Sequence, residues 1–312
     1  MTTSLIIARK EFRAAFRNRL FLTITLLFLG LSILSVYIGS TTKRAEMRIY
    51  DARVATLQAE GAAVIPAAPE IHTLTILANL TEYVAIVGAI LAVILGYNTL
   101  IEEKESGGLK LILSRPVYRD QLLVGKLLGN AAVIASLLGL VFLFNLILLV
   151  AIGGIWPTLG EVARLFTFTV MALAYMLIFL TVSLFLSIRL NNGATVFLIS
   201  LTLWVLVSFV VPQIADAMMV NSSVVNSISG AINQIPQETA VSQAINYLSP
   251  TWHLRNIGGE LLQFTSGSSA ISTGTLLGHT LTTLLVLLVP TVAFIAAGFA
   301  VFQRNETLVL ES

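Results

Sequence analysis

The chain of 312 residues contains no cysteine and only three histidines, His72, His253 and His279, which lie far apart in the sequence. Without cysteine there is no disulfide framework, no thiolate-bound zinc and no thiol nucleophile. The H-E-x-x-H motif of zinc peptidases and the G-x-S-x-G motif of serine hydrolases are also absent. We therefore expect neither a catalytic residue nor a bound metal ion in this chain.

Charged side chains are scarce, at 11% of the residues, whereas 56% are hydrophobic and the mean hydropathy is +0.90. Soluble domains have about 25% charged and 45–50% apolar residues. A helix that crosses a bilayer needs about 20 consecutive apolar residues, and six stretches satisfy this need. The predicted spans are residues 20–42, 81–101, 121–152, 163–188, 192–215 and 279–303. The composition therefore predicts an all-α integral membrane protein.

The basic residues 1–19 precede the first apolar run, residues 20–42. This run is interpreted as a span because it exceeds the 7–15 apolar residues of a signal peptide and no A-x-A cleavage site follows it. On a helix, the apolar residues before the run share one face beside a basic face, which is typical of a helix lying in the membrane interface. The alternative is an ordinary basic flank of the first span. The predicted interfacial residues are Arg9, Lys10, Phe12, Arg13, Phe16 and Arg17.

Lysine and arginine predict the orientation, because they are enriched in cytoplasmic loops. With both termini in the cytoplasm, the cytoplasmic segments hold twelve of the 18 basic residues. Residues 43–80 would then form an outer loop whose first part continues the first span as a stalk. Residues 216–278 are too polar to span and too apolar for a linker, and short outer or re-entrant helices are expected there.

Small residues recur in the second span as Gly88, Ala92 and Gly96. Such a ladder lets the backbones of two membrane helices approach closely. The partner helix lies either in the same chain or in a second copy, and the pattern leaves both open.

Charge is concentrated between the second and third spans, where seven of the residues 102–119 are charged. Gly107 and Gly108 interrupt the helix leaving the membrane, and Pro116 ends the next helical segment. Between them, Leu109, Ile112 and Leu113 share one side, so this segment, residues 102–120, is expected to dock a partner through apolar contacts and flanking charges. The alternative is a solvated loop. The Gly-Lys pair that follows is no phosphate-binding loop, because a leucine replaces the required serine or threonine.

The residues EKESGGLKLILSRPVYRDQLLVGKLLG, 103–129, resemble the signature of ABC-2 type transporter permeases. The stretches IARKEFRAAFRNR, 7–19, and SPTWHLRNI, 249–257, resemble the beginning of these proteins and the segment before their last span. Within the class, the chain looks most similar to permeases of copper processing and nitrous-oxide-reductase maturation. Two positions differ from these permeases: Gly108 stands where they commonly have threonine, and Asn98 stands where they often have aspartate.

The resemblance implies an N-terminal elbow helix at 1–19 and a coupling helix between the second and third spans that inserts into a cytoplasmic ATPase subunit. The implied coupling residues are Glu102, Glu103, Glu105, Gly107, Gly108, Leu109, Leu111, Ile112, Leu113, Ser114, Arg115, Pro116, Arg119 and Arg189. Two permease copies and two ATPases would form an exporter in the cell inner membrane. ATP and magnesium would bind in the ATPases, so this chain would need no cofactor and would not be an enzyme.

Two other functions stay open at this point. One is an ATP-independent secondary transporter or channel, which matched broken helices or charges within the membrane would favour. The other is a membrane scaffold that assembles an extracytoplasmic enzyme on residues 216–278. The sequence does not indicate a transported substrate.

Overall fold

The computed structural model describes residues 3–61, 72–107, 118–225, 232–264 and 273–304. In chain order the helices are α1 (Thr3–Ala15), α2 (Arg19–Ala59), α3 (Thr73–Glu105), α4 (Arg119–Ala151), α5 (Leu159–Arg189) and α6 (Gly193–Ala217). A hairpin of strands β1 (Val220–Val225) and β2 (Ile232–Gln237) follows, and then α7 (Ala240–Asn246), α8 (Pro250–Leu261) and α9 (Thr273–Arg304).

Six of these helices, α2 to α6 and α9, are long and apolar enough to cross a membrane. The predicted all-α membrane class with six spans is thereby confirmed. We call the end of the bundle with Glu105, Arg119 and Arg189 the coupling end, and the opposite end the distal end.

Several helices reach beyond the predicted spans. The first span continues to Ala59 as one helix, whereas α3 begins at Thr73, within the stretch 43–80 that was assigned to an outer loop. Its first turn, Thr73–Leu77, is largely buried and packs against α2, where the backbone of Ile76 touches Gly39 and would clash with any side chain there. Burial against α2 therefore makes this uncharged turn part of the bundle.

Helix α5 is the centre of the bundle, and α3, α4, α6, α8 and α9 all contact it. Its most apolar stretch is 78% buried, against 22% in α6 and 17% in α9. The side chains of Phe168 and Tyr175 on α5 are almost completely buried. The peripheral helices thus present much of their apolar surface to whatever surrounds this chain.

The small-residue ladder of α3 faces α5 of the same chain, which answers the question left open by the sequence. A Cβ atom on Gly96 would lie 2.5 Å from the carbonyl oxygen of Leu180 and 2.8 Å from the Cβ of Ser183. At Gly88 the neighbour is the flexible end of Met176, with its sulfur at 3.1 Å. Ala92 is fully buried. Gly96 is therefore the position where the two backbones require a glycine.

Polar side chains inside the bundle join neighbouring helices. The hydroxyl of Ser183 on α5 donates to the carbonyl oxygen of Val93 on α3 at 2.9 Å, and Ser200 on α6 donates to Ser183 at 3.1 Å. Asn145 on α4 donates to Ser32 on α2 at 3.3 Å. Such bonds satisfy polar groups that would otherwise be unpaired in hydrocarbon.

The segment 216–278 contains helices, as expected, but it also contains the antiparallel β1–β2 hairpin, which the sequence analysis did not predict. Val220 pairs with Gln237 and Val225 with Ile232. Each strand has six residues. This is too short for an alternation of apolar and polar residues to be distinguished from the helical patterns on either side. The all-helical expectation for this segment is corrected accordingly.

Helix α8 enters the distal half of the bundle. Ser249 caps it by accepting from the amide of Trp252 at 3.2 Å, and Pro250 occupies its first turn. The hydroxyl of Thr251 lies 3.0 Å from the hydroxyl of Tyr175 on α5. Tyr175 is 16 residues beyond Leu159, the first residue of that helix (175 minus 159). At 1.5 Å per residue this is a depth of about 24 Å from the start of that long helix.

Two π-helical turns lie beside this contact, Val84–Gly88 in α3 and Leu206–Val210 in α6. Tyr175 donates to the carbonyl oxygen of Ala85 in the first turn, at 2.8 Å. Thr251 donates to Ser208 in the second turn, at 2.7 Å. Near the distal end, the Arg255 side chain donates two bonds of 2.9 and 2.8 Å to Glu82 on α3. Helix α8 is therefore attached to three spans.

Replacing Gly96 with alanine is expected to destabilise the bundle by about 1–3 kcal/mol, because the added methyl group overlaps the backbone of α5. The same substitution at Gly139 on α4, where a Cβ would meet nothing within 4 Å, is the matched control. Thermal unfolding in detergent measures both. An unchanged melting temperature for Gly96→Ala would contradict the close contact between α3 and α5.

Candidate coupling site

The apolar centre of the predicted coupling segment lies outside the described residues. This concerns Gly108, Leu109, Leu111, Ile112, Leu113, Ser114, Arg115 and Pro116. Its flanks are described. Helix α3 ends at Glu105, Gly107 follows with a left-handed φ of +69°, and α4 begins at Arg119. The glycine therefore ends the helix as the sequence analysis anticipated, and the segment starts and finishes at the coupling end.

A buried ion-pair cluster joins the three helices around this segment. The Lys126 side chain of α4 is 3% exposed, and its Nζ lies 2.9 Å from Glu103 Oε1 on α3 and 3.2 Å from Glu11 Oε1 on α1. Lys10 of α1 lies 3.9 Å from the same oxygen of Glu103. The structure thus pairs Lys10, which was predicted as part of the elbow helix, with Glu103, which was predicted as a coupling residue.

Sequence reasoning missed Glu11 and Lys126 as members of this site. Lys126 was weighed only as part of a phosphate-binding loop, and Glu11 stands among basic residues. The available signal was a single lysine inside an apolar run, because a buried lysine requires oxygen partners such as carboxylates. Which carboxylates provide them depends on how α1 folds back.

Helix α1 lies directly on the beginning of α4. A Cβ on Gly125 would meet Ile7 Cβ at 2.7 Å, and one on Gly129 would meet Glu11 Cβ at 2.7 Å. The two glycines thus allow the close approach that brings Glu11 to Lys126. Phe12 is half-buried, whereas Phe16 follows the end of α1, is 44% exposed and has its ring centroid 4.9 Å from that of Phe12.

The basic side chains of the predicted elbow helix remain exposed, namely Arg9, Lys10, Arg13 and Arg17. Between α1 and the first span, Asn18 accepts from the amide of Leu20 at 2.9 Å and so caps α2. The chain therefore turns at the foot of the first span with its positive charges outward.

On the other side of the end of α3, Lys104 contacts the end of α5. This lysine is 8% exposed, and its Nζ donates to the carbonyl oxygens of Ser187, Ile188 and Leu190 at 2.7, 3.2 and 3.0 Å. A cation at the last carbonyls of a helix is favourable because they are otherwise unpaired and carry the negative end of the helix dipole. Lys104 therefore caps α5.

The tight turn between α5 and α6 completes the arrangement. Glu105 Oε1 accepts from the amide of Gly193 at 3.4 Å, and Asn191 Oδ1 lies 3.3 Å from Lys104 Nζ. Arg189, predicted as a minor contact, is exposed at this turn. The end of α3 thus contacts α1 and α4 on one side and the α5–α6 turn on the other.

A polar cavity of about 160 Å³ lies beside the cluster, between α1, α3 and α4. Its polar lining consists of Glu11, Asn18, Asn98, Thr99, Glu102 and Asn130. Asn130 donates to Thr99 at 2.8 Å across the α3–α4 contact. Asn98, which stands where the resembling permeases often have aspartate, faces this cavity, so the departure removes one negative charge from a lining that already contains two carboxylates.

The described contacts join the helices on both sides of the coupling segment. Residues 108–117 connect α3 and α4, the two helices that the Glu103–Lys126 ion pair also joins. Glu11 also joins this pair to α1, and Lys104 joins α3 to the α5–α6 turn. The described part of the site is therefore a set of polar and charged contacts between α1, α3, α4 and the α5–α6 turn.

Lys126→Met is expected to cost about 3–5 kcal/mol of stability, because it leaves Glu103 and Glu11 partly buried without their cation. Adding Glu103→Gln to Lys126→Met should recover part of this loss. Lys43→Met, which breaks the more exposed pair with Glu46, is the control and should cost at most about 1 kcal/mol. Equal unfolding temperatures for all three variants would contradict the role of the cluster.

Comparison with known proteins indicates the family of this chain. A family model described as ABC-2 family transporter protein matches residues 5–307. A probable ABC transporter permease protein NosY of Pseudomonas aeruginosa is 33% identical over 129 residues, which is 41% of this chain and 39% of that protein. The NosY protein of Stutzerimonas stutzeri is 31% identical over 129 residues, with the same coverage. The match thus spans about two fifths of these relatives, while the family model covers nearly all of this chain. The chain therefore belongs to the ABC-2 family of transporter proteins.

Proposed function

We propose that this chain is the permease subunit of an ATP-driven ABC-2 exporter, with the coupling end and both termini on the cytoplasmic side of the inner membrane. The observation that carries this proposal is the double attachment of α3 at Glu103 and Lys104. These contacts link both helices that flank residues 108–117 to α1 and to the α5–α6 turn. The basic residues of α1 support the orientation, because they are typical of a cytoplasmic segment.

The partner at the coupling end is a cytoplasmic ATPase subunit that receives residues 108–117. The family membership supports this partner, and so does the absence of a phosphate-binding motif from the whole sequence. ATP and magnesium bind in the ATPase, and this chain is not an enzyme. Glu102, Glu105 and Arg189 are exposed around the segment and supply charges of both signs to the rim of the contact, where they favour correct orientation.

Closure of the ATPases moves the segment, and the buried contacts pass this motion into the bundle. A buried ion pair holds its partners more firmly than an exposed one, because separating it leaves unpaired charges in a medium of low polarity. The motion reaches α3 directly. It reaches α6 through the turn that Glu105 and Lys104 hold. In the resembling proteins these helices and the first span line the path between subunits.

Two copies of the permease and two ATPases form the transporter. The peripheral position of the first and fifth spans supports the second copy, because 28% of the apolar stretch of α2 and 22% of that of α6 are buried within one chain. Leu26 and Tyr37 of α2 are 68% and 59% exposed. A second copy placed against α2 and α6 covers these surfaces and encloses a path.

An extracytoplasmic protein is a further partner. The observation in its favour is the β1–β2 hairpin, which is a two-stranded sheet within the described residues and leaves one edge of each strand open. Open strand edges accept an additional strand from another chain.

The first experiment is purification of the tagged full-length chain from its native membrane, followed by identification of co-purifying proteins. We expect a stoichiometric ATPase with a Walker A motif. Combining Leu113→Asp with Arg115→Glu should weaken its binding by about 30-fold or more, since central interface residues contribute at least about 2 kcal/mol. Arg53→Glu, on the stalk at the distal end, is the charge-reversal control and should leave the ATPase bound.

Recovery of the ATPase at wild-type stoichiometry with the double variant would contradict the coupling role of the segment. Transport by the chain alone in liposomes would instead support a secondary transporter. If only extracytoplasmic proteins co-purify, and their assembly requires this chain without transport, the scaffold function replaces the exporter.

A further inference from the structure

A continuous groove runs along α9 at the distal half of the bundle. Its deeper part is an apolar cavity of about 350 Å³ between α5, α6, α9 and the segment 247–253. Its outer part is a cavity of about 210 Å³ with a mixed polar lining. Tyr247, His253 and Val286 line both parts, so the two cavities adjoin.

The groove changes in character along its length. Side chains of the deeper part are apolar apart from those of Tyr247 and His253, and they include Phe179, Val207 and Phe294. The outer part contains these polar and aromatic groups: Trp252, Asn256, Glu260, His279, Thr282 and Thr283. One end therefore suits hydrocarbon, and the other suits a polar or charged group.

The length of the groove corresponds to one leaflet of a bilayer. His279 and Phe294 lie at its two ends on α9 and are 15 residues apart (294 minus 279), or about 22 Å along the helix. Half of a hydrocarbon core measures about 15 Å and the headgroup region adds several more. An acyl chain with its headgroup therefore fits the groove lengthwise.

A histidine and a carboxylate lie together at the polar end. His279 Nδ1 is 3.1 Å from both carboxylate oxygens of Glu260, and the His279 side chain is 53% exposed. An imidazole N–H donates to a phosphate oxygen, while a carboxylate accepts from an ammonium group. This pair therefore complements a headgroup that contains both charges.

His253 adds no charge to the deeper part. Its Nε2 lies 3.1 Å from the carbonyl oxygen of Tyr247, and burial lowers the pKa of the imidazole, so the ring is neutral at pH 7. The apolar end thus remains suited to hydrocarbon.

The groove is open at its side. Leu248, Tyr247 and Leu203 line it and are 71%, 57% and 41% exposed. Because the walls belong to membrane spans, the opening is at a depth where lipids of the bilayer, which are amphiphiles of the required form, can enter it. Among the described residues, no three histidine or acidic side chains come together as a candidate metal site.

We propose that the groove binds a phospholipid of the bilayer, with one acyl chain between α5, α6 and α9 and a zwitterionic headgroup at Glu260 and His279. The inference rests on the proposed function only for the orientation that assigns this lipid to the outer leaflet. A bound lipid there contacts α8 at Trp252 and His253, the helix attached to α3 through Arg255. Lipid occupancy is therefore linked to the contacts between the distal helices and the spans.

Photocrosslinking tests the proposal on the full-length chain in liposomes of phosphatidylethanolamine and phosphatidylglycerol. The probe is a phosphatidylethanolamine with a diazirine in one acyl chain, and mass spectrometry maps the labelled peptides. We expect labelling of α9 and of the segment 247–253. Val286→Trp should reduce it at least about tenfold, since displacing even two methylene groups from an apolar site removes this much affinity.

Val289→Trp is the matched control, because Val289 lies on the same helix, is 67% exposed and does not line the groove. It should leave the labelling unchanged. If Val286→Trp fails to fold, Leu203→Trp fills the groove from the opposite wall. Equal labelling of wild type and both filling variants would overturn the proposal.

The alternative occupant of the groove is a second copy of the chain, and a single introduced cysteine detects it. The natural chain has no cysteine, so Leu248→Cys introduces one unique thiol. Rapid disulfide formation between two such chains, together with no lipid labelling, would overturn the lipid proposal in favour of a contact between copies. Neither measurement requires ATP or an ATPase, so a failure here is distinguishable from a failure of the exporter function.

Discussion

The requirement that every backbone polar group be satisfied inside the bilayer governs this fold. Helices satisfy their own backbone, and only side chains then remain to hold one helix against another. Without a strong hydrophobic force between helices in lipid, close packing and interhelical hydrogen bonds provide the association. The contact of α3 with α5 at Gly96, and the bond from Ser183 to the backbone of Val93, are the clearest examples. The rest of the bundle is arranged around α5.

At the coupling end, charged side chains hold the helices together, whereas in the centre of the bundle small residues allow them to pack closely. Lys126 and Lys104 are both buried, yet each has oxygen partners, carboxylates for one and helix-terminal carbonyls for the other. This difference matters for the proposed function. The first lysine joins three helices through full charges, and the second ends α5 and fixes the turn that leads into α6. Both lysines act next to the same segment, and so force applied to that segment has two routes into the bundle.

The distal end is attached through fewer but specific contacts. Helix α8 contacts α3, α5 and α6 through Arg255 and Thr251. The contact from Thr251 to Ser208 reaches a π-helical turn of α6, and Tyr175, which Thr251 also contacts, bonds to a second π-helical turn in α3. A π-helical turn leaves backbone groups out of the usual pattern and is frequent at functional sites. The groove along α9 adjoins this helix. A ligand in the groove and a movement of the spans therefore affect the same contacts.

Much of the architecture follows from the sequence. The long apolar runs predict six spans, Gly107 ends α3, and residues 103–129 indicate the family, because each of these features is local in the chain. The β1–β2 hairpin was not predicted, because its strands are short and their pairing joins residues up to 17 positions apart (237 minus 220). The sequence pattern also does not show that α1 ends at Ala15, one residue before Phe16.

By itself, the sequence determined what depends on composition and neighbouring residues: a membrane protein of helices, the number of spans, and the charged segment between the second and third. Only the tertiary structure decided which side chains meet across distance. Lys126 and Glu11 are 115 positions apart, Arg255 and Glu82 are 173 apart, and the groove needs four separate segments. Such contacts depend on how rigid helices pack in three dimensions, and the spacing of residues along one helix carries no information about the neighbour that it will face.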